Sequence, residues 1–142
     1  MDHRCKILLI RCASYRLNNQ MLKWIKRSVL FEGKKFDLIS LFGGIKDLVD
    51  NDFKISEKYF QHIKTSIESH GIEEVIIFHH SDCYSYKKNY KFASPKEEKK
   101  QQIKDMKEAK RIITKKYHDV EVFLVWANMK DEKGKKIEFE VV

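Results

Sequence analysis

Val75-Ile76-Ile77-Phe78-His79-His80-Ser81-Asp82-Cys83-Tyr84 is the stretch on which the fold turns. Four consecutive apolar residues, followed at once by two histidines, a serine, an aspartate and a cysteine, describe a strand buried on both faces that delivers polar side chains to a sheet edge. His80 and Cys83 stand three apart, so a turn just past the strand brings an imidazole nitrogen and a thiolate to one point. Two such donors do not hold zinc, which takes three protein ligands in an open site and four in a closed one. The comparable place in the chain is Lys6-Ile7-Leu8-Leu9-Ile10-Arg11-Cys12, a second buried run that ends in cysteine. As parallel neighbours, the two strands bring Cys12, His80 and Cys83 together at their carboxyl ends, where open α/β sheets place their sites. A Cys2His zinc set with one open position follows from that convergence. The competing reading is of buried structural thiols beside a hydrogen-bonded histidine.

The other segments arrange themselves around these two strands. After Cys12 a polar connection leads to a helix capped by Asn18 or Asn19, with Leu22, Ile25 and Val29 on its inner face and an end near Gly33. Residues 36–42 read as a second strand, closed by the tight turn Gly43-Gly44. A helix carrying Phe60, Ile63 and Ile67 then stops at Gly71, just before the central strand. Residues 84–92 mix tyrosines and lysines without clear periodicity and read as a loop over the site. Ser94-Pro95-Lys96-Glu97 is a capping box with proline at the first helical position, opening a long helix whose inner stripe is Ile103, Met106, Ala109 or Lys110, Ile113 and Tyr117. Residues 120–126 form a fourth strand, Asp131-Glu132-Lys133-Gly134 a turn, and residues 136–142 a short final strand. The order βαβαβαββ implies a three-layer α/β fold in one domain over residues 1–142. Its sheet is mostly parallel with a short antiparallel edge strand, and helices cover both faces.

Composition narrows the class. The chain has 142 residues, 42% hydrophobic, with nine phenylalanines and two tryptophans, which excludes wholesale disorder. No apolar run approaches the length that spans a bilayer, so no membrane partner is expected. The start Met1-Asp2-His3-Arg4-Cys5 reads as no signal peptide, and three irregularly spaced cysteines fit reduced thiols in a cytoplasm. Lys and Arg number 29 against 21 Asp and Glu, a net charge of +8. The lysines are interleaved with glutamate, as in Lys96-Glu97-Glu98-Lys99-Lys100, so nucleic-acid binding is a minority reading.

With a cysteine after the first strand, Arg16 four residues later and His80-x-x-Cys83 after the third strand, the chain resembles the β-carbonic anhydrase family. The likeness is greatest to short members without the long amino-terminal helical arm. That family pairs Cys-x-Asp-x-Arg with a later His-x-x-Cys, and the resemblance covers the chain from Lys6 to about Trp126. It implies zinc held by Cys12, His80 and Cys83 on a sheet of order 2-1-3-4, and reversible hydration of carbon dioxide to bicarbonate by a zinc-bound hydroxide. A homodimer is compatible with it. Here the first motif reads Cys12-Ala13-Ser14-Tyr15-Arg16, so Ser14 replaces the aspartate that orients the hydroxide, and Arg16 is expected to lose its partner. Ser14 and Arg16 are the candidate catalytic residues, Ser14 as substitute orienter and Arg16 steadying bicarbonate or the loop. His79 and Tyr84 stand where the family usually has glycine. The alternative to an enzyme is a zinc or ligand-binding module that kept the site and lost the chemistry.

Overall fold

Strands β1 (Ile7–Cys12) and β3 (Glu74–His80) run parallel, side by side, at the centre of a five-stranded sheet in the computed structural model, which describes residues 1–29 and 35–142. Every residue of β1 is buried, as is all of β3 after Glu74. A central strand covered on both faces has no side to show to water, hence the unbroken apolar runs. β2 (Asp37–Leu41) pairs parallel to β1, and β4 (Glu121–Met129) parallel to β3. β5 (Ile137–Val141) returns antiparallel along β4. The order is therefore β2-β1-β3-β4-β5, the expected mostly parallel sheet with its antiparallel edge strand.

Alternation along the strands sorts the core into two layers. Leu8, Ile10, Val75, Ile77, Val122 and Leu124 pack with Tyr59, Ile63 and Ile67 of α2 (Phe53–His70) and with Met106, Ala109 and Ile113 of α4 (Pro95–Lys116). Ile7, Leu9, Ile76, Phe78 and Val125 pack instead with Met21 and Ile25 of α1 (Asn18–Arg27). Trp24 of α1 meets Phe78 edge-on with ring centroids 5.4 Å apart.

Two expectations are corrected. α1 buries Met21 and Ile25, with Leu17 just ahead of it, while Leu22 and Val29 are 47% and 93% exposed. Neither asparagine caps it: α1 continues directly from a 3-10 turn, Tyr15–Leu17, whose Tyr15 carbonyl already accepts the Asn18 N–H. A helix entered from a helical turn has partners for its first donors without a capping side chain. Burial of Leu17 sets its phase. α1 ends at Arg27, and Gly33 lies outside the described residues.

Residues 84–92 are not simply a loop, since Tyr84–Asn89 form a short helix, α3. Tyr86 is fully buried, its hydroxyl donating to Asp105 Oδ2 at 2.7 Å. Tyr90 stacks between Tyr86 and Phe92, at centroid distances of 6.0 and 5.4 Å. A helix of six residues is too short to show a period, which is why the sequence pattern looks irregular.

The capping box of α4 forms with one variation. Ser94 Oγ accepts from Glu97 N at 3.3 Å, while the Glu97 carboxylate reaches back one residue further, to Ala93 N at 2.8 Å. Met106, Ala109 and Ile113 are buried as expected, with Ile103 and Tyr117 partly buried against them.

Candidate metal centre

Cys12 ends β1, His80 ends β3, and Cys83 follows the turn after β3, so both central strands stop at the same edge of the sheet. One ligand atom from each of Cys12, His80 and Cys83 lies within 4.8 Å of the other two, and the thiols are 4.0 Å apart. All three residues are buried.

His80 is held in one tautomer. Its Nδ1 lies 2.8 Å from the Ser81 carbonyl oxygen, which can only accept, so Nδ1 carries the proton. Nε2 is left as a lone pair, buried and without a hydrogen-bond partner. A buried polar atom without a partner is uncommon in a folded chain, and an imidazole nitrogen beside two thiols is a donor set suited to a soft cation. The thiols divide one proton between them. The hydrogen bond between them draws the Cys12 pKa well down, with the Gly43 N–H assisting, and the same bond, together with burial, pushes the Cys83 thiol up. Cys12 is thus poised as a thiolate, with Gly43 N at 3.4 Å from its Sγ. These donors fit zinc: two thiolates and an imidazole nitrogen, with one position left to a small molecule.

The supports of the three candidate ligands come from all around the sheet edge. Arg11, buried, donates from Nε to Cys12 O and from Nη2 to Ser14 O, both at 2.7 Å, shaping the chain after β1. Ser81 N bonds Ala127 O at 3.0 Å and Ser81 Oγ accepts from Met129 N at 2.8 Å, fastening the His80 turn to β4. From α4, Glu98 Oε1 accepts from Cys83 N and from Gln102 Nε2, each at 2.9 Å, and Gln102 Nε2 also donates to His80 O at 2.9 Å. Sequence reasoning missed Glu98 and Gln102. The available signal was the α4 stripe itself, which steps back from Met106 by fours to residues 102 and 98. Polar residues on the buried side of a helix need partners, and here the partners are the ligand turn.

His79 and Tyr84, at the two positions where the family usually has glycine, part ways. His79 points to the opposite face of the sheet from His80. Its Nε2 accepts from Ile45 N at 3.1 Å, and its Nδ1 donates to Gln102 Oε1 at 3.0 Å. Gly44 makes room for it: at φ +59, a Cβ on Gly44 would stand 2.5 Å from His79 Nε2. Tyr84, 79% exposed, lines the mouth of a cavity of about 420 Å³ over the cluster, together with Ala13, Ser14, Tyr15, Phe42 and Ser85.

Arg16 and Ser14 are both at this cavity, but Arg16 is not without a partner as expected. Its Nη1 donates to Asp82 Oδ2 at 2.9 Å and its Nη2 to Asp82 O at 2.6 Å. The carboxylate that meets Arg16 comes from the turn after β3.

A mostly parallel α/β sheet with a Cys2His cluster where two neighbouring strands end defines a recognisable class, the β-carbonic anhydrase fold. Residues 2–140 match the family described as "Putative carbonic anhydrase", and the chain belongs to that family. Among solved structures, a tetrameric β-carbonic anhydrase from the filamentous ascomycete Sordaria macrospora aligns with 100% of this chain and 82% of its own, at TM-score 0.62 and 11% identity. The β-carbonic anhydrase CafD of Aspergillus fumigatus aligns over 96% of this chain and 89% of its own, at 0.61 and 8%. The carbonic anhydrase of Streptococcus mutans covers 100% of this chain and 85% of its own, at 0.57 and 15%. No curated protein matches the chain. Among the described residues, no helix is long and apolar enough to cross a membrane.

Proposed function

We propose that Cys12, His80 and Cys83 hold zinc and that the protein hydrates carbon dioxide reversibly to bicarbonate. The observation that carries this reading is the buried Nε2 of His80, unpartnered beside two thiols. Cys12, His80 and Cys83 would hold the zinc, and it would supply Lewis-acid activation of water at neutral pH for the hydration of carbon dioxide. The chain's own part is to present donors in the right charge state. Cys12 enters as thiolate, His80 offers Nε2, and Cys83 gives up its proton to solvent when the metal binds. Ala13, Phe42 and the ring of Tyr15 wall the cavity with carbon, which suits a small apolar substrate. The Ser14 hydroxyl, able to donate and accept, is the group available to orient the nucleophile.

A second reading, a zinc or ligand-binding module without the chemistry, is favoured by one specific feature: among the described residues, no carboxylate lines this cavity. Metal content of protein purified without added metal, measured with its stopped-flow CO2 hydration rate, separates the two. About one zinc per chain with hydration above that of free zinc supports the enzyme, and zinc without hydration leaves the module. Metal retained in full by both Cys83→Ser and His80→Ala would sink the site assignment. Cys5→Ser is the control that should keep the zinc.

The same reading takes residues 1–142 as one such domain, working in a cytoplasm where its thiols stay reduced, and as a homodimer. Pairing is supported by the edge strand β2, which exposes Leu38 and Leu41 and leads to exposed Phe42 at the cavity, and by the tetrameric description of the Sordaria structures.

A further inference from the structure

Arg16 lies four residues after one candidate ligand, and Asp82 lies between the other two. Two hydrogen bonds join them, Nη1 to Oδ2 at 2.9 Å and Nη2 to the Asp82 carbonyl at 2.6 Å, and the Arg16 side chain is only 13% exposed. The second bond grips the backbone of the ligand turn and not merely a side chain. Asp82 is also the non-glycine residue with positive φ among those described, at +56. L-residues seldom adopt that conformation, and such backbone persists where surrounding contacts over-determine it. Those contacts are Arg16 and, on the remaining carboxylate oxygen, Lys87 of α3.

Arg16 is itself backed by the β4–β5 hairpin. Gly134, at φ +70, sits so close that a Cβ there would overlap the Arg16 carbonyl oxygen and come within 2.8 Å of Arg16 Cβ. The hairpin is rigid in turn: Asp131 accepts from Lys133 N, Lys135 N and Lys136 N at 2.9, 3.0 and 2.6 Å, and Gln20 Nε2 donates to Lys135 O at 2.9 Å. Arg16 lines the cavity and Asp82 stands behind it, meeting the cavity through the guanidinium.

We infer that Arg16 and Asp82 form a clamp, braced from behind by Gly134, that holds the Cys12 loop and the His80–Cys83 turn at the separation a metal requires before any metal arrives. They are positioning residues. The inference rests on the metal reading of Cys12, His80 and Cys83. It places the carboxylate that engages Arg16 in the second ligand turn, not two residues after Cys12 where the family motif has it. The loop-to-turn distance would otherwise be set only when the ion binds, at the expense of affinity.

The test uses the reduced, metal-stripped full chain, with zinc affinity measured by competition against a chromophoric chelator and cobalt(II) as a spectroscopic probe of ligand geometry. Arg16→Ala and Asp82→Asn should each weaken zinc binding by about 10- to 100-fold, the range found when a group supporting a metal ligand is removed. Asparagine tolerates the left-handed backbone, so Asp82→Asn folds with its turn intact and tests the charge alone. The double variant should lose little more than Arg16→Ala, which already removes both bonds, whereas Asp82→Asn leaves the bond to the residue-82 carbonyl in place. Arg16→Lys, which keeps charge but not the two-pronged grip, should not restore affinity. Gly134→Ala should weaken binding with both charged residues present. At saturating cobalt the intense tetrahedral visible absorption of the wild type should be reduced in all of them, a change that lost stability alone does not produce. If the wild type binds zinc and cobalt while Asp82→Asn and Arg16→Ala bind as well as it does, or if their losses multiply in the double variant, the clamp is overturned and the metal site stands. If the wild type binds neither ion, the metal reading falls and the clamp with it.

Discussion

Acidification should destabilise this protein through His79. Both nitrogens of the neutral ring are in use, Nδ1 donating to Gln102 and Nε2 accepting from Ile45 N, and the ring is buried with Tyr86 edge-on at 5.6 Å. Burial, with the neighbouring His80 adding to it, lowers its pKa from 6.5 to about 4. A proton on Nε2 would face the Ile45 N–H, donor against donor. The unfolded chain binds that proton near the ordinary pKa, so it gains protons before the folded state does and stability falls as pH falls. His79 therefore contributes in full above about pH 6.5, progressively less down to about pH 4, and the loss then levels off. The gap between 6.5 and about 4 corresponds to about 3 kcal/mol at the acid limit, of which about 2 kcal/mol is already lost at about pH 5. Urea unfolding of metal-stripped, reduced protein, followed by fluorescence of Trp24 and Trp126 at constant ionic strength, measures this against His79→Gln, which can still hydrogen-bond but does not titrate. The variant should be less stable at neutral pH, and the difference should shrink by about 2 kcal/mol on going to about pH 5. Parallel stability curves for the two proteins across that range would refute the reasoning.

Gly44→Ala places a methyl group 2.5 Å from His79 Nε2 at φ +59; a cost of about 1–3 kcal/mol is expected in the urea midpoint, together with a weaker pH dependence because His79 is displaced. Glu98→Ala leaves the buried Cys83 N–H without its acceptor and should cost about 1–3 kcal/mol. Glu98→Gln keeps an acceptor oxygen there and should cost less, with both variants compared at unchanged urea m-value.

Sequence by itself determined the two central strands and the three residues gathered at their carboxyl ends. A strand buried on both faces must be apolar throughout, so the position where Ile7–Ile10 gives way to Arg11 and Cys12, and Val75–Phe78 to His79 and His80, is legible without coordinates. Alternating helices then require the runs to be parallel, which brings Cys12 to the same edge as His80 and Cys83. The capping box of α4 was legible for the same reason: its signal lies within a few adjacent residues. Tertiary structure alone decided which carboxylate meets Arg16, since Asp82 is 66 residues away and reaches it through a left-handed turn that no local pattern specifies. It also decided that Glu98 and Gln102 face inward to hold the Cys83 turn, and that Leu17, not an asparagine cap, sets the phase of α1. Periodicity is a property of one segment and can be read along it. The partner of a buried or constrained polar group is a property of two segments, fixed only when packing brings them together.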